Sequence, residues 1–243
     1  MTDYSDIFAS SALVVAHPDD EVLWFSSVVG RVSRVVVCYE DCADLPELGP
    51  GRRRVTQDHP LSTMVWLRRP EPGSMNRVDW SRPLQTSSGL AFNAGSDANN
   101  GAREQAYRSS YATLRADLGK ALRGTANVFT HNLWGEYGHA DHVQVARVVT
   151  SLAQELGFRL RYSSYISPRS MPLAAQVLPR LVSDLRLPTD RALAARIQGV
   201  YEDCKCWTWH PSYEPPAEES FLVVTEDPPT EASSVPLHCV MTL

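Results

Sequence analysis

Residues 11–21 read SALVVAHPDDE and contain the transition that decides the fold. Ser11 to Ala16 is a short, largely apolar run, which is typical of a strand covered on both faces. Arg34 to Tyr39 (RVVVCY) is a second such run, and the interval from Glu21 to Val29 has room for a short helix. Two buried strands joined by a helix form the βαβ unit that opens doubly wound folds. The pattern therefore predicts a parallel sheet with polar residues at the carboxyl end of its first strand.

The alternation of strands and helices continues along the chain. Apolar residues recur at helical spacing in Gly101 to Arg123 and again from His142 onward, where Gly157 offers a stop signal. The same criteria predict four more strands and one more helix: strands at Met64 to Leu67, Asn127 to Asn132, Arg159 to Ile166 and Phe221 to Val224, and a helix at Arg191 to Tyr201. This order indicates an α/β fold.

The length of 243 residues and the 43% hydrophobic content are sufficient for one α/β domain with a full core. We therefore expect a single domain over residues 1–243. Two stretches interrupt the pattern, near 41–53 and 70–100, and we expect loop insertions there. The Pro-rich C-terminal tail is expected to be an irregular surface segment.

Charge and composition exclude several classes of partner. A net charge of -5 gives no basic footprint for nucleic acid. No apolar run approaches the roughly 20 residues that span a bilayer, and the acidic start does not resemble a secretory signal. The five cysteines show no disulfide-framework spacing. We expect a cytoplasmic protein with free thiols and no membrane span.

Two polar segments follow predicted strands and are candidates for chemistry. His17 to Glu21 (HPDDE) follows the first strand, and Trp134 to His142 (WGEYGHADH) follows the strand NVFTHN. In open α/β sheets, sites lie at the carboxyl ends of strands. Imidazole and carboxylate suit zinc, and His139 and His142 can lie on one side of a helix start, where the dipole favours neutral rings. Helix capping would explain the acids but not the histidines, so together the segments predict one metal site.

AHPDDE after the first strand and EYGHADHV before a helix together resemble the N-acetylglucosaminyl-phosphatidylinositol de-N-acetylase family, also called PIG-L or LmbE-like. The resemblance covers these segments with their flanking strands and helices, and it is weaker beyond Gly157. It implies a Rossmann-like three-layer αβα sandwich with a mostly parallel sheet. It also implies a zinc-dependent hydrolase that removes an N-acetyl group from an N-acetylglucosamine-type amino sugar or its conjugate.

Carried over to this chain, the family pattern implies His17, Asp20 and His142 as the zinc ligands and Asp19 as the general base. Ala140 stands where the family generally has proline, a change that should alter local stiffness and not ligation. Zn²⁺ is thus the expected cofactor.

The resemblance also implies three residues that act on the substrate carbonyl. His139 would stabilise the oxyanion or act as an acid, Asp141 would orient His139, and Tyr137 would polarise the carbonyl. The expected products are acetate and a free amine.

Substrate-binding residues are harder to identify from the sequence. In the family an arginine after the second strand contacts the substrate, and the run 52–54 (RRR) lies in about that place; Arg54 is the candidate, with a solvated basic turn as the alternative. Asp97 could bind sugar hydroxyls, with an exposed loop acid as the favoured alternative. Trp207 and Trp209 could stack on a sugar or belong to the core. Three histidines without partners in sequence are expected to be structural: His59, His131 and His238.

Two alternative functions stay open. One is an amidase of the same family that acts on a larger N-acyl conjugate, and the other is a metal-dependent phosphohydrolase, although the latter usually needs more ligands. A nucleotide-binding module is disfavoured because HPDD occupies the place of a G-x-G-x-x-G turn. The expected partner is a small-molecule amino-sugar conjugate, and the sequence leaves a homo-oligomer open.

Overall fold

The fold is built on a seven-stranded central sheet, and the computed structural model describes residues 4–93, 99–225 and 235–240. In chain order the strands are β1 (Ser11–Val15), β2 (Arg34–Tyr39), β3 (Met64–Arg69), β4 (Gln85–Thr86), β5 (Gly89–Leu90), β6 (Asn127–Thr130), β7 (Arg159–Ser163), β8 (Tyr165–Ile166), β9 (Leu181–Pro188), β10 (Glu218–Val224) and β11 (His238–Cys239). The helices are α1 (Ser5–Ala9), α2 (Asp20–Leu23), α3 (Gly49–Asp58), α4 (Asn100–Ala121), α5 (Ala140–Leu156), α6 (Met171–Val177) and α7 (Arg191–Asp203).

The central sheet has the order β3-β2-β1-β6-β7-β10-β9. The five strands from β3 to β7 pair in parallel, and β10 pairs antiparallel with both β7 and β9. The predicted mostly parallel sheet is confirmed.

Both faces of β1 are buried, which explains its continuous apolar sequence. Leu13 and Val15 pack in one cluster with residues of α3 and α7, whereas Ala12 and Val14 pack in another with residues of α4 and α5. The sheet therefore lies between two helical layers, as the predicted αβα sandwich requires. Within the described ranges, no helix is long and apolar enough to cross a membrane.

The helix predicted over Glu21 to Val29 is shorter in the structure, where α2 ends at Leu23. The amides of Ser26 and Ser27 donate to the Glu219 carboxylate at 3.1 and 2.8 Å, so they are not available for intrahelical bonds. The Glu219 carboxylate thus takes the place of the helical carbonyl groups as the acceptor for these two amides.

The loop predicted near 41–53 is wrong in its second half. A short 3-10 turn, Pro46–Leu48, leads directly into α3. Gly51 looks like a helix breaker in sequence, but a Cβ there would lie 2.4 Å from the Cys204 carbonyl oxygen. This glycine therefore permits close packing against the end of α7. By contrast, residues 70–93 are irregular except for the β4–β5 hairpin, as expected.

Candidate metal centre and catalytic cavity

The candidate site lies at the carboxyl ends of β1 and β6, which are neighbours in the sheet. From β1 the chain builds the sheet outward through β2 and β3, and from β6 it builds the other half through β7. Such a reversal of strand order opens a crevice for ligands. A cavity of about 130 Å³ occupies this place and is lined by His17, Asp19, Asp20, Leu23, Cys42, Leu45, Arg52, Glu71, Met75, Tyr137, His139, Thr208 and Trp209.

The structure brings the three predicted zinc ligands together. Asp20 lies between the two histidines: its Oδ2 is 3.3 Å from His17 Nδ1 and its Oδ1 is 3.3 Å from His142 Nε2. All three side chains are buried. Within the described part of the chain, His142 Nε2 has no hydrogen-bond partner. A buried lone pair without a partner is costly, and two imidazoles with one carboxylate form a donor set that zinc accepts. The residues present therefore suit a metal ion.

His17 is held from its other side by two acids. Its Nε2 lies 3.3 Å from Asp141 Oδ2 and 3.5 Å from Glu71 Oε1. Burial lowers the pKa of His17, but the hydrogen bonds to Asp141 and Asp20 outweigh it and raise the pKa to about 10. Binding of a metal at this imidazole would therefore release a proton.

His139 lies beside the predicted ligands, with its ring centroid 4.7 Å from that of His17 and 4.9 Å from that of His142. It is the N-cap residue of α5, and its Nδ1 accepts the Asp141 amide at 3.2 Å. The neutral ring therefore carries its proton on Nε2. Burial, reinforced by His17 and His142, holds the pKa of His139 well below its usual range. His139 is thus a neutral hydrogen-bond donor.

The contact between Asp141 and His139 differs from the expected one. The backbone amide of Asp141, and not its carboxylate, bonds to the His139 ring. The carboxylate lies against His17 instead. In the structure Asp141 therefore orients His139 through its amide and His17 through its side chain.

Asp19 occupies the left-handed backbone region, with φ 94°. Strain of this kind in a non-glycine residue clusters at functional sites. The Thr208 hydroxyl donates to Asp19 Oδ2 at 2.5 Å. Burial raises the pKa of Asp19 to about 7; Arg52 opposes this shift and Asp20 adds to it. A carboxylate with a pKa near neutrality is suited to take a proton.

Tyr137 lines the cavity and packs its ring 5.6 Å from that of Trp24 and 5.2 Å from that of Trp209. Burial raises the pKa of Tyr137 well above its usual range. The hydroxyl therefore stays protonated and can donate a hydrogen bond.

Arg54, the predicted substrate-binding residue, does not reach the cavity and is exposed. The basic run forms part of α3, where successive residues are turned by about 100°. Arg52 is buried and lines the cavity, and Arg54, two residues on, points away. Arg52, and not Arg54, is thus the arginine of this run that lines the cavity. Asp97 lies outside the described residues.

Several site residues gave no signal in the sequence. Glu71 follows β3 and enters the cavity, held by the Ala43 amide at 2.5 Å. Thr208 arrives from the segment after α7, next to Trp209, which was a candidate for stacking on a sugar and does line the cavity. The position of Glu71 just beyond a strand end was the one available clue.

His131 was expected to be structural and without partners, but it lies against the ligands. Its ring stacks on His142 with centroids 3.9 Å apart, and its Nε2 lies 3.3 Å from Asp20 Oδ2. By proximity of their ligand atoms, Asp20 and His142 group with His131, whereas His17 and His142 group with His139. However, His131 Nε2 accepts the Ala16 amide at 2.9 Å and Nδ1 faces Glu136 at 3.2 Å. Because its Nε2, the nitrogen on the Asp20 side, already accepts a backbone amide, His131 is a neighbour of the predicted ligands.

Comparison with known proteins adds evidence on the fold. No protein-family model matches the sequence, and no curated protein matches it. Two solved structures share its architecture: a deacetylase triple mutant from the teicoplanin biosynthetic pathway (TM-score 0.51) and a deacetylase-bog complex from the biosynthesis pathway of teicoplanin (TM-score 0.50). Each is 14% identical in sequence, and each alignment covers 89% of this chain and 99% of the other. The chain therefore has the α/β fold of these deacetylases.

Proposed function

We propose that this chain is a zinc-dependent de-N-acetylase acting on an N-acetylglucosamine-type amino sugar or its conjugate. The observation that carries the proposal is the buried Nε2 of His142, which makes no hydrogen bond within the described residues and lies 3.3 Å from Asp20 Oδ1, with Asp19 beside it at the wall of the cavity. The fold shared with deacetylases of teicoplanin biosynthesis supports the same proposal.

His17, Asp20 and His142 would hold the metal. Zinc supplies, when bound, the Lewis acidity that makes a water molecule acidic near neutral pH and polarises a carbonyl group. The other polar side chains of the cavity then act on water and substrate.

Asp19 would accept the proton of the attacking water. Its carboxylate is oriented by Thr208 and is poised by burial at a pKa of about 7. A general base of this kind contributes roughly 10²–10⁴-fold to the rate.

His139 and Tyr137 are placed to stabilise the charge on the amide oxygen. Both are donors in their neutral forms, His139 through Nε2 and Tyr137 through its hydroxyl. Donors fixed in a dry site before the reaction stabilise an oxyanion without reorganisation. Arg52 and Glu71 remain to bind hydroxyl groups of the sugar.

An amidase acting on a larger N-acyl group is the second candidate. Leu45 and Met75 line the cavity and are 43% and 37% exposed, which gives its mouth an apolar rim. A phosphohydrolase is less favoured because two-metal sites of that kind usually need more ligands than His17, Asp20 and His142 provide.

The test is metal analysis of the purified protein together with acetate release over a panel of N-acetylglucosaminides and longer N-acyl homologues. We expect about one zinc per chain. Asp19→Asn should retain zinc and lose roughly 10²–10⁴-fold in turnover, whereas His142→Ala should lose the metal. Full turnover by Asp19→Asn, or a zinc-loaded protein that cleaves none of the amides, would refute the proposal.

A further inference from the structure

Glu136 lies beneath the metal centre and has no role in the function proposed above. It is fully buried, in the turn that connects β6 to α5, and has a left-handed backbone with φ 48°. A non-glycine residue is held in this conformation only when its surroundings over-determine it. The side chain of Glu136 supplies the reason, because its carboxylate is directed into the interior.

The Glu136 carboxylate accepts four hydrogen bonds. Oε1 accepts the Asn132 amide at 2.9 Å and the Ser163 hydroxyl. Oε2 faces His142 Nδ1 at 2.8 Å and His131 Nδ1 at 3.2 Å. An ionised carboxylate can only accept, so both rings must present Nδ1–H to it.

This arrangement fixes the tautomer of both histidines. With its proton on Nδ1, His142 has its lone pair on Nε2, the atom that lies 3.3 Å from Asp20. His131 has the same tautomer for an independent reason, since its Nε2 accepts the Ala16 amide. The two rings stack nearly parallel, at 22°. The Glu136 carboxylate therefore orients His142, and through His131 and the Ala16 amide it connects His142 to the end of β1.

We propose that Glu136 is a positioning residue for the metal: it holds His142 in the tautomer and orientation that present Nε2 to zinc. His131 supports this arrangement by contacting both Glu136 and the His142 ring. This inference rests on the proposed zinc site. Without the carboxylate, His142 can place its proton on Nε2, where it blocks ligation. Partners of this kind typically change metal affinity by roughly 10–100-fold.

Glu219 provides a matched control. It is equally buried, and it also accepts four hydrogen bonds, from the Ser26 and Ser27 amides, the Ser27 hydroxyl and the Tyr165 hydroxyl. None of these donors belongs to a predicted metal ligand. Glu219→Gln therefore removes the same buried charge without touching His142.

The experiment measures the zinc dissociation constant by chelator competition, in the absence of substrate, for the wild type, Glu136→Gln and Glu219→Gln. We expect Glu136→Gln to weaken zinc binding by roughly 10–100-fold and Glu219→Gln to leave it within about twofold. Equal affinities of Glu136→Gln and the wild type would overturn the inference and leave the proposed function standing. Conversely, a wild type that binds zinc but releases no acetate would reject the function alone.

A second measurement covers the case in which Glu136→Gln does not fold. Long-range ¹H–¹⁵N spectra of the labelled wild type report which ring nitrogen carries the proton. We expect His142 and His131 to show protonated Nδ1. A His142 ring whose Nδ1 carries no proton would overturn the inference.

Discussion

Thr208 is 189 positions from Asp19 in the chain, but its hydroxyl donates directly to the Asp19 carboxylate. Thr208→Val keeps the shape and removes the donor, so Asp19 is free to rotate away from the water. A hydrogen bond to a charged group contributes about 1.5–3 kcal/mol, and we expect kcat to fall by roughly 10-fold or more while zinc content is unchanged. Steady-state kinetics with Thr208→Ser as the control test this. Wild-type kcat in Thr208→Val would show that the contact has no catalytic role.

Arg52 and Arg54 can be compared directly, because Arg52 lines the cavity and Arg54 is exposed. Arg52→Gln should raise KM by roughly 10-fold or more, through loss of a charged hydrogen bond to the substrate. Arg54→Gln should leave KM unchanged. The two KM values, measured with the same amide substrate, decide the assignment; the opposite ranking would restore Arg54.

At the residue scale, the sequence predicted which site residues lie close together only where those residues follow the ends of strands. The segments HPDDE and WGEYGHADH could be assigned to one metal site because both follow predicted strands. Which of their residues hold the metal was implied by the family resemblance. Thr208 could not be assigned to the site, since it lies in an irregular segment with no periodicity. Arg52 was hidden in a run of three identical residues, and only the phase of the helix distinguishes them.

At the scale of elements, the end of α5 offers a test of backbone conformation. Gly157 follows the helix with φ 75°, and Gly199 lies inside α7; in the described part of the chain, no packing neighbour lies within 4 Å of the position that a Cβ would take at either glycine. Gly157→Ala should destabilise the protein by about 1–2 kcal/mol, because alanine is strained in the left-handed region. Gly199→Ala should stabilise it by roughly 0.5–1 kcal/mol. Urea unfolding measures both; a neutral Gly157→Ala would refute the strain argument.

β9 and α3 were not predicted, because each lacks the local sequence signal of a strand or a helix. β9 is an edge strand, and it buries Leu185 and Leu187 while exposing Arg186 between them. It therefore lacks the continuous apolar run that marks central strands such as β1. α3 opens with Gly-Pro-Gly, which resembles a turn unless its packing against the end of α7 is known. α5, with its amphipathic face and glycine stop, was predictable because local and tertiary signals agree.

At the scale of the whole molecule, a ligand that binds only the folded state stabilises it. Zinc at about 100 times its dissociation constant should add about 2.7 kcal/mol to the free energy of unfolding. For a chain of this size that corresponds to a rise in Tm of roughly 5–10 °C. Thermal unfolding with and without a chelator measures the shift, and His142→Ala should abolish it. A chelator-insensitive wild-type Tm would contradict the zinc assignment.

The position of β10 between β7 and β9 has a consequence for the chain during its synthesis. β7 is made early, but its free edge is paired only when residues 218–224 arrive, and β9 cannot join the sheet before then. An open sheet edge on a nascent chain invites pairing with other chains. The cavity is also incomplete until Thr208 and Trp209 have left the ribosome. Completion of the cavity and protection of the β7 edge are therefore both late events, and a chain that ends before Glu218 lacks the strand that covers β7.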